Sequence, residues 1–262
     1  MSVTGAVESV WRYPVKSMRG EKLESAFVGF AGVYGDRLFA FRNSKADVGF
    51  PFLTGRECAR MLLHQPRFRH PENALRPPNL AEAEHLAPGL TPVYADLDDL
   101  AVDVETPDGA LLAIDSSELR LSLGEAEGAG ELTLLKSERA LTDCRPVSLI
   151  SIQTVTALEK EVGKELDQRR FRANIYVDLG GAQGQAEDAY VGKKLRIGGK
   201  ATIAILERDP RCKMITLDPV DGHANPEILQ TVAKAHKGRV GVYAAVLVEG
   251  TIRPGDAVTL LN

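Results

Sequence analysis

The stretch Ala201-Thr202-Ile203-Ala204-Ile205-Leu206-Glu207-Arg208-Asp209-Pro210-Arg211-Cys212-Lys213-Met214-Ile215-Thr216-Leu217-Asp218-Pro219 opens as an apolar run and closes in a turn marked by two prolines. Its first six residues predict a strand, because β-branched side chains suit a pleated, half-buried surface, and Pro210 breaks it. At the break stands Cys212, with Arg208, Arg211 and Lys213 beside it. Positive neighbours favour the thiolate, which is both nucleophile and soft metal ligand. The same residue reads equally as a small buried hydrophobe, the usual state of a free cysteine.

Working outward, short Val-, Leu-, Ile- and Phe-rich runs separated by Gly, Pro and Asp predict many strands and few helices. Leu100–Thr106 and Ala110–Ile114 read as a hairpin through Pro107-Asp108-Gly109, where proline presets φ and glycine accepts a positive one. Arg253-Pro254-Gly255-Asp256 between Val246–Val248 and Ala257–Leu260 suggests a closing strand pair. Two helices are predicted. One runs from Ile152 to about Gly163, capped by Ser151; the other runs from Pro226 to about His236, with Asn225 as cap and Gly238 just beyond. Pro66 to Pro92 reads as a long loop with a short helix around Leu80–His85, Gly124–Gly130 as a flexible acidic loop or linker, and Gly180–Gly184 as a mobile connection.

Length and composition bound the function. A chain of 262 residues buries a sizeable core as one large or two modest domains. Its net charge of −4 argues against nucleic-acid binding by bulk electrostatics. Three cysteines, Cys58, Cys144 and Cys212, make no CxxC pair, and the five histidines show no metal-ligand spacing. No run approaches the length or apolarity of a membrane span or a signal peptide. These features predict a protein of a reducing, cytoplasmic compartment with no membrane attachment.

Four more segments concentrate cationic and hydrogen-bonding side chains: Tyr13-Pro14-Val15-Lys16-Ser17-Met18-Arg19-Gly20, Gly35-Asp36-Arg37, Leu53-Thr54-Gly55-Arg56, and Gln168-Arg169-Arg170-Phe171-Arg172-Ala173-Asn174-Ile175-Tyr176-Val177. In the fourth, period-2 alternation puts Arg172 and Asn174 on one face of a strand, a pairing able to bind an anion and an amide together. Each segment taken alone also reads as solvated charge or as an ordinary ion pair.

The order of these pieces, followed by Ala186-Glu187-Asp188, the Arg211-Cys212-Lys213-Met214-Ile215-Thr216-Leu217-Asp218-Pro219 turn and Gly250-Thr251-Ile252-Arg253-Pro254-Gly255-Asp256, resembles the MOSC family. It is similar above all to the two-part members with an N-terminal β-barrel domain, among them the mitochondrial amidoxime reducing component and its bacterial relatives. The resemblance implies an α+β, mostly β fold. Residues 1–125 would form an N-terminal β-barrel-like domain and residues 126–262 a C-terminal MOSC β-barrel with a few packed helices.

It also implies a molybdenum cofactor, a molybdopterin bound between the two parts with molybdenum ligated by Cys212. Lys16, Ser17, Arg37, Arg172 and Asn174 match family positions around the pterin and its phosphate; Arg56, Ser151, Arg211 and Tyr243 match less closely. The implied activity is reduction of small N-hydroxylated substrates by oxygen-atom removal at molybdenum. The alternative is a carrier in which Cys212 bears a persulfide or holds the cofactor for delivery. Met18 stands where several relatives have a small or thiol side chain, and Ala173 where many have proline. With no ferredoxin-type cysteine motif and no anchoring run in the 262 residues, electrons are expected from a separate donor protein, ferredoxin-like or a b-type cytochrome.

Overall fold

The apolar runs form strands β1 (Ser2–Arg12), β2 (Glu21–Leu23), β3 (Ala26–Gly29), β4 (Gly32–Val33), β5 (Phe39–Asn43), β6 (Gln65–Phe68), β7 (Val102–Glu105), β8 (Leu111–Ala113), β9 (Leu132–Lys136), β10 (Val147–Ser151), β11 (Ile175–Asp178), β12 (Lys194–Ile197), β13 (Ala201–Pro210), β14 (Arg239–Val248), β15 (Gly250–Ile252) and β16 (Ala257–Leu261). The helices are α1 (Leu80–Leu86), α2 (Ser117–Gly124), α3 (Ile152–Val162) and α4 (Pro226–His236). The computed structural model describes residues 2–86, 90–125 and 129–261.

Seven strands close a barrel in the order β11-β10-β14-β13-β12-β16-β1, with β1 pairing back to β11 and β2 added beside β1. The run from Ala201 is a strand as its composition predicts, and Ile203 and Ile205 point into a core shared with Leu149, Val177, Val242 and Ala244. Closure leaves the barrel no open edge. The β10–β11 pair is parallel, which demands a crossover connection, and α3 supplies it. Every residue of β10 is buried because its other face lies under α3 and α4, where Ile150 packs with Leu158, Ile228 and Val232.

Both long helices have the caps their sequences indicate. The Ser151 hydroxyl accepts from Thr154 N, and Gly163 closes α3 at φ 73°. Asn225 accepts from Glu227 N ahead of Pro226, and Lys237 takes the left-handed position before Gly238. The β7–β8 hairpin turns through Gly109 at φ 88°. The C-terminal expectation fails: β14 and β16 do not pair with each other. Instead β15 pairs with β3 and β16 inserts between β12 and β1. The Arg253–Asp256 turn is bound to β1, with Gly255 N donating to Val7 O and Val7 N to Asp256 O, so the chain is steered onto the first strand rather than back along β14.

The remaining strands form three small sheets, β15-β3-β4, β5-β9 and β6-β7-β8, over a second core that includes Met18, Phe27, Phe39, Phe41, Leu53 and Met61. The proline-rich stretch contains α1 as expected, but it begins with β6. There Pro66 is accommodated at the sheet's outer strand, where a missing N–H costs no ladder bond. Of the Gly124–Gly130 segment and the expected division after residue 125, positions 126–128 lie outside the described residues.

One buried polar knot locks α3 to the barrel. Glu187 is fully buried and accepts from Ser151 Oγ at 2.7 Å, Thr154 Oγ1 at 2.8 Å and Ser151 N at 3.3 Å, and burial raises its carboxyl pKa. Glu187→Ala leaves these donors unsatisfied beside a void and is expected to cost about 3 kcal/mol of unfolding free energy in urea titrations, with Glu187→Gln recovering most of it.

Candidate functional site

Three residues of the cationic segments adopt a left-handed backbone that side chains other than glycine rarely take: Ser17 at φ 65°, Arg37 at 48° and Arg172 at 50°. Each costs about 1–2 kcal/mol from Cβ crowding, a strain that clusters at functional sites. Ser17 occupies the third position of a turn closed by Met18 N to Val15 O, where glycine is the usual choice. Arg37 N donates to Tyr13 O, and Arg172 ends a 3-10 turn at Gln168–Phe171. The predicted strand through 168–174 therefore does not exist; β11 starts only at Ile175. Arg172 and Asn174 nonetheless reach the same cleft, Arg172 through its unusual backbone.

That cleft lies where the small sheets meet the barrel. It takes Lys16, Ser17, Arg37, Thr54 and Arg56 from the N-terminal part and Ser148, Arg172, Asn174, Asp209, Arg211, Cys212 and Tyr243 from the barrel side. Among its described lining residues seven cations face two carboxylates, in a chain whose net charge is −4. Most of this charge is neutralised on the spot. Lys16 pairs with Asp143, Arg37 with Asp36, Arg170 with Asp218, Arg145 with Glu207 at 2.8 Å, Arg211 with Asp209 at 2.9 Å and Arg56, loosely, with Glu57 at 3.9 Å.

Arg172 is different. It has no carboxylate partner among the described residues. Its Nη1 donates to Met18 O at 2.7 Å, its guanidinium lies 4.3 Å from the Tyr13 ring centroid, and its enclosed Nη2 has no hydrogen-bond partner among the described residues. Burial lowers its pKa to about 10, against the pull of Tyr13 and with the help of Arg37's like charge. It stays cationic at neutral pH, and a buried cation without a counterion is a costly arrangement. Lys16 is also buried, which lowers its pKa against the attraction of Asp143, and Phe52 lies under its ammonium at 4.6 Å. For Arg37 burial pulls the pKa down, but the charge and hydrogen bond of Asp36, with Tyr13 and Asp143, together raise it.

Arg211 is a strut. Its Nε donates to Val240 O at 2.7 Å and its Nη1 to Phe171 O at 2.9 Å, so it ties the end of β13 to β14 and to the 3-10 turn. Asn174 braces β10 and β1, accepting from Ser148 N at 3.2 Å and donating to Trp11 O at 3.3 Å. Cys212 lies in extended backbone between Pro210 and a 3-10 turn at Lys213–Thr216; it is half-buried and free, whereas Cys58 is buried and Cys144 exposed. Its sequence neighbours are committed elsewhere: Arg208 Nε meets Asp188 at 2.7 Å and Lys213 Nζ donates to Arg56 O at 2.7 Å. Apart from Arg211, the cations that line the cleft come from distant segments.

Of the site residues read from the sequence, Cys212, Lys16, Ser17, Arg37, Arg56, Arg172, Asn174, Arg211 and Tyr243 line this one cleft. Ser151 does not: it is fully buried, and its hydroxyl is consumed by the α3 cap and Glu187. Thr54, Asp143, Ser148 and Asp209 line the cleft without having been singled out. Thr54 and Asp209 sat inside segments already marked by their charge; nothing in the local sequence marks Asp143 or Ser148. No group of three or more His, Cys, Asp or Glu side chains able to hold a metal occurs among the described residues.

Residues 4–120 match the family model of the MOSC N-terminal beta barrel domain, and residues 136–259 that of the MOSC domain. Proteins named molybdenum cofactor sulfurase from Drosophila yakuba and Drosophila melanogaster are each 33% identical over 107 residues, 39% of this chain and 13% of theirs. The chain thus spans only a small part of the length of these curated relatives. Among solved structures, the YUAD protein of Bacillus subtilis aligns over 97% of this chain and 93% of its own at 12% identity and a TM-score of 0.47. YiiM of Geobacillus stearothermophilus aligns over 45% and 55% at 20% identity and a TM-score of 0.34. No helix among the described residues is long and apolar enough to cross a membrane.

Proposed function

Because the chain belongs to the MOSC family, with both the N-terminal beta barrel and the MOSC domain, we propose that its cleft binds the molybdenum cofactor and that the protein is a molybdenum-dependent oxidoreductase acting on small N-hydroxylated compounds. The observation that carries this reading is Arg172, a buried cation with an unsatisfied Nη2 in the wall that also holds Cys212. An anionic phosphate held beside Arg172 would supply the missing counterion through charge-assisted hydrogen bonds, and Lys16, Arg37 and Ser17 line the same cleft. Asn174 and Ser148 would line the pterin, and Cys212 would give the molybdenum a soft sulfur ligand.

Bound there, the molybdenum centre supplies two-electron chemistry that takes an oxygen atom from the substrate. The chain's own contribution is to hold the group by cations already fixed in place and to present one cysteine sulfur at the cleft wall. Electrons come, on this reading, from a separate ferredoxin-like protein or b-type cytochrome.

Metal analysis and oxidised-pterin fluorescence on protein made in a cofactor-producing host should find about one molybdenum and one pterin per chain, and benzamidoxime should be reduced with an artificial electron donor. Protein that takes up neither metal nor pterin after molybdate supplementation would overturn the reading. The match to proteins named molybdenum cofactor sulfurase favours one second reading, a cofactor or sulfur carrier. A carrier would load but not turn over, and would hand its cargo to a cofactor-free molybdoenzyme.

A further inference from the structure

Converting N–OH to N–H with release of water consumes two protons as well as two electrons, so a site that removes the oxygen also needs a proton source. Asp209, next to last in β13, stands in the cleft wall and is 2% exposed. Its Oδ2 forms an ion pair with Arg211 Nη2 at 2.9 Å, and the Tyr243 side chain, on the neighbouring strand β14, lies within its reach and favours the carboxylate. The charges of Asp143, from the segment before β10, and Arg37, from the N-terminal part, also act on it, the first raising and the second lowering its pKa. Arg211 is anchored by two backbone carbonyls, so it compensates the carboxylate without moving. Burial pushes the Asp209 carboxyl up to about 6, outweighing Arg211 and the Tyr243 hydrogen bond; burial likewise raises the Tyr243 pKa and keeps its hydroxyl protonated.

We propose that Asp209 is the proton store of the cleft and that the Tyr243 hydroxyl relays its proton to the departing substrate oxygen, with Arg211 as the positioning residue. This rests on the reductase reading above. For a hydroxylamine the balance is RNHOH + 2 e− + 2 H+ → RNH2 + H2O. The N–O bond breaks, and the electron pair comes from a reductant such as reduced viologen or the donor protein. One proton passes from Tyr243 as Asp209 reprotonates it, and the second comes from solvent. Asp209 is left as a carboxylate paired with Arg211 until it regains a proton from water.

The test compares the native protein with Asp209→Asn and Tyr243→Phe by two readouts. In infrared difference spectra of the cofactor-free and loaded protein, a protonated-carboxyl stretch should vanish as pH rises through about 6 in the native protein and in Tyr243→Phe, and be absent from Asp209→Asn. In benzamidoxime reduction by reduced methyl viologen at equal metal content, native kcat should fall as pH rises through the same range. Both variants should lose on the order of 100-fold at the optimum, and Asp209→Asn should also lose that limb. A carboxyl that stays ionised across the range overturns the store. Variants that match the native rate and profile overturn the relay while leaving the reductase reading intact. A fully loaded native protein without turnover removes both.

Discussion

Cys212→Ala is expected to yield folded protein that retains little molybdenum and reduces N-hydroxylated substrate on the order of 100-fold or more below the native rate. Partners that merely orient a metal ligand already cost about 10–100-fold when removed, and loss of the ligand itself removes more. The fold should be indifferent. Cys212 is half-buried, sits in ordinary extended backbone and makes no side-chain cap bond, so its stability should move by no more than about 0.5 kcal/mol. Cys58 provides the internal contrast, for it lies in the second core, 8% exposed. Cys58→Ala should lower the melting temperature while leaving metal content unchanged. The checking measurements are metal analysis, pterin fluorescence and a thermal melt on all three proteins. A Cys212→Ala protein with native molybdenum content and native rate would remove the thiolate ligand from the proposal.

Arg172→Gln should separate stability from binding in the opposite direction. In the cofactor-free protein this guanidinium is enclosed, beside the like charge of Arg37 and without a carboxylate partner among the described residues. Removing its charge relieves repulsion and desolvation, and offsets the lost bond to Met18 O. The cofactor-free variant should therefore melt at or above the native temperature. Anion binding should suffer: one charge-assisted hydrogen bond is worth about 1.5–3 kcal/mol, so affinity for inorganic phosphate, and with it cofactor loading, should drop about 10- to 100-fold. Arg172→Lys should restore part of the binding, since a point charge lacks the planar fork. A variant that melts lower yet binds phosphate as the native protein does would mean that Arg172 is a structural strut and that the anion sits elsewhere.

Much of the fold was legible because local physical chemistry decided it. The Ser151 and Asn225 caps, the Gly109 turn and the apolar run from Ala201 each satisfy a short-range requirement that the chain meets within a few residues. The C-terminal pairing was not legible. A turn such as Arg253–Asp256 allows a hairpin, but backbone bonds to Val7, hundreds of residues away in sequence, choose β1 as the partner. The 168–174 segment shows the complementary failure. Its alternation matched a strand, yet the chain turns there and places Arg172 at positive φ, because the surrounding packing outweighs the local preference.

At the site, residue types were legible and their relations were not. The cationic segments and Cys212 stand out in an acidic chain, and nine of the ten named positions line one cleft. Ser151 left the set because a hydroxyl at a helix start is drawn to the unpaired N–H groups there and, in this case, to Glu187. Sequence by itself determined the inventory: a mostly β chain, two capped helices, one cysteine in a proline-bounded turn and scattered Arg and Lys. Tertiary structure alone decided which of those charges cancel. Lys16 meets Asp143 and Arg211 meets Asp209, whereas Arg172 meets no carboxylate among the described residues, since Coulomb attraction and burial depend on distances in space that spacing along the chain does not encode.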